Sequence, residues 1–254
     1  MLSDSQSYSD LFDQFSWVLP ARLNMAEQAC DVWAEKSPKK IAIVDLSASS
    51  DRDRRVISYS ELRRMADGLA HHLLACGIAR GDRIGVLRTQ GVWTAAAHIA
   101  CWKIGAISIP LFKLFGPEAL LSRLENAGAR LVITDPEGRA ALADWADSDR
   151  AVVVPETAIL SDAVFDTVET GPEDPAVLIY TSGTTGPPKG ALHGHRVLTG
   201  HLPGVIMSHD FLGQPDDCLW TPADWAWIGG LFDVLMPGLA LGGLAAQVGH
   251  RVAA

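Results

Sequence analysis

The chain has 254 residues, of which 48% are hydrophobic and 20% charged, and carries a net charge of −9. That length suits one large domain or two small ones, with enough apolar material for a substantial core. The acidic balance gives no electrostatic support to a nucleic-acid or anionic-membrane partner, so any anionic ligand has to be held by local geometry.

Residues 1–20 are polar with scattered aromatics, and Asp4, Asp10 and Asp13 without a cation do not form a signal peptide. Asn24 to Glu27 has the spacing of a capping box and predicts a helix to about Lys36. Ile41–Val44 reads as a strand, residues 47–55 as a hairpin-like polar excursion, and Ser60 as the N-cap of a long helix. Leu62, Met65, Ala66, Leu69, Leu73 and Leu74 give that helix its spacing, and Gly77 stops it. The adjacent His71 and His72 face different directions and make a poor metal pair. Arg83–Arg88 is a strand, residues 92–104 a helix apolar nearly all round and therefore buried, and Ile107–Leu111 a strand. Pro117 opens a helix that Gly128 ends. Arg130–Thr134 is a strand, Pro136 to about Trp145 a helix, and Ala151–Val154 a strand. Strand and helix alternate with short connections, which is the α/β pattern of a parallel sheet covered on both faces. Residues 156–174 are acidic and aperiodic and read as a mobile surface connection. Cys30, Cys76, Cys101 and Cys218 lie far apart, which excludes a disulfide framework or zinc spacing and fits a reducing cytoplasm.

The apolar run Ala176–Tyr180 leads into Thr181-Ser182-Gly183-Thr184-Thr185-Gly186-Pro187-Pro188-Lys189-Gly190. Glycines let backbone N–H groups converge on a ligand, the hydroxyls add neutral donors, and Lys189 adds one mobile charge. The two prolines limit how far the loop drifts. This chemistry suits a polyphosphate. It is not the common P-loop, which needs a lysine followed by Ser or Thr; here Gly190 follows. His193 to Arg196 then opens a helix to about Phe211, whose N-terminus is expected beside the phosphates. His193 and His195 alone do not make a metal site. Cys218–Thr221 is a strand. The stretch Val234–Gly249, interrupted by Pro237 and glycines, is too short to span a bilayer.

From Tyr180 to Gly190 the chain resembles, without a gap, the phosphate-loop signature of the adenylate-forming (AMP-binding) enzymes: acyl-CoA synthetases, peptide-synthetase adenylation domains and luciferases. Gly81-Asp82-Arg83 and Trp102–Ile107 are weaker signatures, and the string from Leu111 to Leu120 is most similar to bacterial medium-chain acyl-CoA synthetases. The resemblance reaches from about Leu19 onward. It implies the N-terminal part of the adenylate-forming ligase fold, incomplete, with residues 1–58 and 213–254 in one sheet subdomain and 59–212 in the other. It implies ATP, Mg2+ and CoA as partners and a carboxylic (fatty) acid as substrate. Lys189 takes the catalytic charge contact, with Thr181, Ser182, Gly183, Thr184, Thr185 and Gly186 around the phosphates and no metal ligand assigned. Thr221 to Gly230 resembles the acyl-pocket segment, with Trp225, Trp227, Ile228 and Gly229 as its wall. Acetate-specific relatives carry a larger residue at the position of Gly229, so a longer or aromatic acyl group is expected. The family is about twice as long. Its Thr-Glu motif, ribose aspartate and mobile terminal lysine have no counterpart in these residues, so the chain alone is expected to be inactive and to self-associate through its apolar C-terminal segment. The alternatives are an ATP- or pyrophosphate-binding module without chemistry, and part of a peptide-synthetase adenylation domain, for which Asp233 is the candidate ammonium contact.

Overall fold

A computed structural model describes residues 7–46, 55–142, 145, 150–154, 158, 161–181, 188–214 and 216–247. Helix α1 (Tyr8–Gln14) precedes a π-helical turn, Glu27–Asp31, that continues as α2 (Val32–Lys36). Asn24 does not form the expected box with Glu27. Its Oδ1 accepts from the Ala26 N–H, while its Nδ2 donates to the carbonyls of Trp102 and Val168. Strand β1 (Ile41–Asp45) pairs antiparallel with β2 (Arg55–Ser58) as a hairpin; the excursion at 47–54 lies outside the described residues. Helix α3 (Tyr59–Ala75) is capped by Ser58, not Ser60. The Ser58 Oγ accepts from the Glu61 N–H, and the Glu61 carboxylate takes the Ser58 N–H in return. That reciprocal pair satisfies two orphan donors, which a cap at Ser60 would leave open.

The next stretch winds in α/β order: β3 (Arg83–Leu87), α4 (Val92–Lys103), β4 (Ile107–Pro110), α5 (Pro117–Ala127), β5 (Leu131–Thr134), α6 (Pro136–Ala141) and β6 (Ala151–Val153). Every residue of α4 is buried, Lys103 included. Gly128 takes φ 58° and closes α5 in the left-handed conformation that glycine adopts without strain. Helix α6 ends well before Trp145. Strand β7 (Pro175–Thr181) and strand β8 (Lys189–Gly194) follow, then α7 (Arg196–Ser208), β9 (Cys218–Trp220), a short α8 (Ile228–Gly230), a π turn (Leu231–Leu235), α9 (Met236–Ala240) and β10 (Leu244–Gln247).

One sheet runs β2-β1-β10-β9 and the other β6-β5-β3-β4-β7-β8. Both are parallel except at one edge, where β2 and β8 each return antiparallel to the strand before them. Residues 41–58 and 218–247 supply the first sheet, and 83–194 the second. A single apolar cluster joins them: Met25, Ile43, Leu69, Trp102, Trp225 and Phe232 belong to it from both sides.

Two expectations are corrected. The segment before the phosphate loop is not a loose connection in its described part, 161–174. Phe165 and Thr170 are buried, and Thr170 and Leu23 exchange two hydrogen bonds. The Thr167 hydroxyl donates to Asp31. It is a strap fastened by polar bonds to distant residues, so it needs no periodicity. The α7 N-terminus does not stand at the mouth of the β7–β8 hairpin either. Strand β8 intervenes, and its end, Gly194, pairs with Pro175 at the start of β7, so α7 begins at the far end of the hairpin.

Candidate functional site

Strands β7 and β8 form a hairpin whose mouth holds the phosphate-loop motif. Ala176, Val177 and Ile179 bury one strand in the core and so fix the hairpin's root. The register puts Lys189 opposite Thr181 and Gly190 opposite Tyr180. Ser182, Gly183, Thr184, Thr185 and Gly186, the rest of the predicted cradle, lie outside the described residues. Thr181 and Lys189 are exposed, and Lys189 makes no ion pair with any described residue. The mouth stands at the C-terminal ends of the parallel strands, where open α/β sheets place their ligands.

The loop after β4 reaches the same edge. Phe112 and Phe115 pack ring edge to face, with centroids 5.7 Å apart, and both meet Trp227, at 5.5 and 6.4 Å. This brings the predicted acyl wall to the edge that carries the hairpin. The wall residues separate, however. Trp225 is 1% exposed and belongs to the core, whereas Trp227 and Ile228 are 44% and 39% exposed. The Asp224 carboxylate accepts from the Ala226 N–H and its carbonyl from the Trp227 N–H, a tight turn that flips the second tryptophan outward. The two glycines also differ. A Cβ on Gly230 would lie 2.4 Å from the Asp224 carbonyl, while one on Gly229 meets only the Asp233 carboxylate at 3.5 Å. Gly229 therefore faces space, and Asp233, in hydrogen-bond contact with His201 Nδ1 at 2.7 Å, borders that space.

Two residues that the motif reading passed over, Arg123 and Asn126, sit beside Tyr180 and Phe115. The Tyr180 hydroxyl donates to Asn126 Oδ1 at 2.6 Å, and the guanidinium of Arg123 on α5 lies 4.1 Å from the Phe115 ring centroid and 6.0 Å from that of Tyr180. Burial raises the Tyr180 phenol above its ordinary value, and the Arg123 charge opposes that rise. Aromatic residues directly after a parallel strand were the available signal. Nearby, Lys113 binds Thr89, Asp135 and Glu137 across the ends of β3 and β5. Burial alone would raise the Asp135 carboxyl, but the Thr89 and Gly138 N–H groups and Lys113 together hold it low.

Metal chemistry finds no anchor in the described residues: no group of three or more His, Cys, Asp or Glu side chains converges. His195 turns inward and accepts the Met25 N–H on Nδ1, apart from His193. His71 reaches the Val164 carbonyl and His72 the Cys76 thiol.

Residues 30–248 match the family described as AMP-binding enzyme. The chain belongs to the AMP-binding enzyme family. Among curated members, it is 32% identical over 259 residues to an acetyl-coenzyme A synthetase of Coprinopsis cinerea, covering 89% of this chain and 39% of that one. It is 30% identical over 251 residues to acetyl-coenzyme A synthetase 2 of Pseudomonas aeruginosa, covering 85% and 38%. A crystal structure of an acyl-CoA synthetase from Brucella canis superposes with a TM-score of 0.82 at 25% identity, covering 95% of this chain and 47% of that one. This AMP-binding chain thus spans well under half the length of these curated relatives. Its α/β fold, mostly parallel, is that of the matching part of an acyl-CoA synthetase.

Proposed function

We propose that the chain supplies the phosphate and acyl contacts of an AMP-forming acid–thiol ligase. In that reaction a carboxylate oxygen attacks the α-phosphorus of ATP, and the bond to the β-phosphate oxygen breaks to release pyrophosphate. A thiol, that of CoA, then attacks the acyl carbon and AMP leaves. Charge gathers on the departing pyrophosphate, and a preorganised cation and donors there lower the barrier. Lys189 supplies the cation; Thr181, Ser182, Thr184 and Thr185 supply hydroxyls; Gly183 and Gly186 give backbone access. Magnesium enters on the phosphates of ATP. The observation that carries the reading is Lys189 standing opposite Thr181 at the mouth of a hairpin on the sheet's C-terminal edge, with no acidic partner among the described residues.

The test is a competition experiment on the 254-residue chain. ATP and pyrophosphate are expected to displace each other from one site, and AMP to compete far more weakly because it lacks the terminal phosphates. Equal competition by AMP would place recognition on the nucleoside and remove the hairpin from the site.

For the acyl group, the space in front of Gly229 beside Trp227 supports an acid longer than acetate. The names of the curated relatives favour acetate as the second reading. Nonhydrolysable acyl-sulfamate analogues of increasing chain length separate the two: affinity that climbs with length supports the longer acid, and a maximum at acetyl supports acetate. The free cysteines, two of them buried, fit a reducing compartment, and the cytoplasm is the proposed site of the reaction.

A further inference from the structure

Tyr180 is the last ring before the phosphate hairpin opens, and it is held from three directions. Its ring lies across the strand pair near Gly190, where a Cβ would come within 3.0 Å of Leu178 Cδ1, 3.3 Å of the Tyr180 Cζ and 3.4 Å of its Cε1. Its hydroxyl donates to Asn126. Arg123, one turn earlier on α5 and on the same face, places its guanidinium carbon 6.0 Å from the Tyr180 centroid and 4.1 Å from that of Phe115. Arg123 is only 7% exposed, yet among the described residues it has no carboxylate partner. Its Nη1 donates to the Ala119 carbonyl, and its Nε finds no acceptor. Burying a charge is costly unless something offsets it. A position that needed only filling would be served better by an apolar side chain. Here the offset comes from the Ala119 carbonyl and from two aromatic rings within 6.0 Å of the guanidinium carbon, Phe115 the nearer.

We propose that Arg123 and Asn126 form a clamp on the Tyr180 ring that fixes the base of the hairpin and thereby sets where Lys189 stands. Gly190 directly follows Lys189, so a ring seated on Gly190 controls the backbone next to the lysine. Arg123 is a positioning residue: it acts on the phosphates through Tyr180. The same guanidinium rests on Phe115, which touches Trp227, so the clamp also ties the hairpin to the acyl wall. The glycine after the lysine leaves room for the Tyr180 ring and for Leu178 beside it. The functional consequence rests on the phosphate reading above; the clamp itself rests on geometry.

The experiment has two readouts on the 254-residue chain: amide hydrogen exchange along β7 and β8, and the affinity for inorganic pyrophosphate by calorimetry. Asn126→Ala and Tyr180→Phe each remove one hydrogen bond and are expected to weaken pyrophosphate by about three- to tenfold. The double variant should be no worse than either single one, because both break the same bond. Arg123→Met should weaken it by about tenfold, and Arg123→Lys, which keeps a cation on the rings, should recover most of that loss. Exchange at Ala191 and Leu192 should quicken in Asn126→Ala and Arg123→Met while protection in α4 holds. Unchanged affinity and exchange in Asn126→Ala and Tyr180→Phe would overturn the clamp, and these two decide the matter even where Arg123→Met fails to fold. Arg123→Lys as weak as Arg123→Met, with hairpin exchange unaltered, would also overturn it by making Arg123 a direct phosphate contact. Should the wild-type chain ignore pyrophosphate, the phosphate reading falls, and the exchange data still settle the clamp.

Discussion

Gly229 and Gly230 are neighbours in sequence and opposites in packing. Gly230→Ala forces a methyl against the Asp224 carbonyl, 2.4 Å away, and should destabilise the chain by roughly 1–3 kcal/mol. Gly229→Ala meets one flexible carboxylate at ordinary contact distance and should change stability by no more than about 0.5 kcal/mol. Urea unfolding of the two variants checks the contrast. Gly229→Trp should fill the space beside Trp227 and cut affinity for long acyl-sulfamates while sparing the acetyl analogue; an unchanged length profile would detach this segment from the acyl group. Two histidines set a pH dependence. Burial holds His98 down to about 3, and burial holds His195 down to about 4, with Asp174 opposing and Arg80 assisting, against an ordinary 6.5. The unfolded chain takes up both protons as pH falls through 6.5, while the folded chain refuses them until about 4. The unfolded state binds more protons in that window, so stability is full above pH 6.5 and declines toward pH 4. At about 1.4 kcal/mol per pKa unit the loss amounts to several kcal/mol. His98→Met should flatten part of the slope in denaturant unfolding across that range, and an identical slope would show that His98 does not titrate with unfolding. At this scale the sequence made Lys189 legible, because its neighbours form a contiguous motif. Arg123 and Asn126 were not legible, since only the topology of α5 and β7 brings them to Tyr180.

Among the elements, α4 was readable as buried from its continuous apolar run, but the reason it ends in a buried lysine was not. The Lys103 ammonium lies 2.6 Å from Asp31 and 2.9 Å from Asp67, and also donates to Thr167. It stitches together the π turn before α2, α3, α4 and the strap at 161–174. Arg63 stands beside the same carboxylates at 3.6 and 3.7 Å. Removing the lysine leaves carboxylates buried without their nearest cation, so Lys103→Ala should cost about 3–5 kcal/mol. Urea unfolding with the strap's amide exchange as a second probe checks this: the strap should loosen together with the fall in global stability. The strap and β8 escaped sequence reading for different reasons. The strap is fastened by single polar bonds that leave no period. Strand β8 has no alternation, since Gly190 and Gly194 interrupt it and its first four residues are exposed. Because β8 was unread, α7 was expected at the wrong end of the hairpin.

For the molecule as a whole, the alternation of strand and helix was enough to give the α/β class and the parallel sheets. It was not enough to place β10. That strand sits between β1 and β9, which leaves β9 at the edge with Trp220 half exposed. An edge strand with an exposed aromatic promotes association. The 254-residue polypeptide is therefore expected to self-associate at micromolar concentration, and light scattering with size exclusion should detect it; a monodisperse monomer would contradict this. Since these residues match under two-fifths of the curated relatives' length, and catalytic groups that act together fail together, nucleotide binding without AMP release is expected from this polypeptide alone. Lys189 is the charge at the hairpin's mouth, and calorimetric titration of ATP into the chain and into Lys189→Ala tests its role most directly. A charge-assisted bond to phosphate is worth roughly 1.5–3 kcal/mol, so the variant should bind about ten- to a hundredfold more weakly with its unfolding midpoint unchanged. Equal affinities for the two proteins would contradict the assignment of Lys189 to the phosphates.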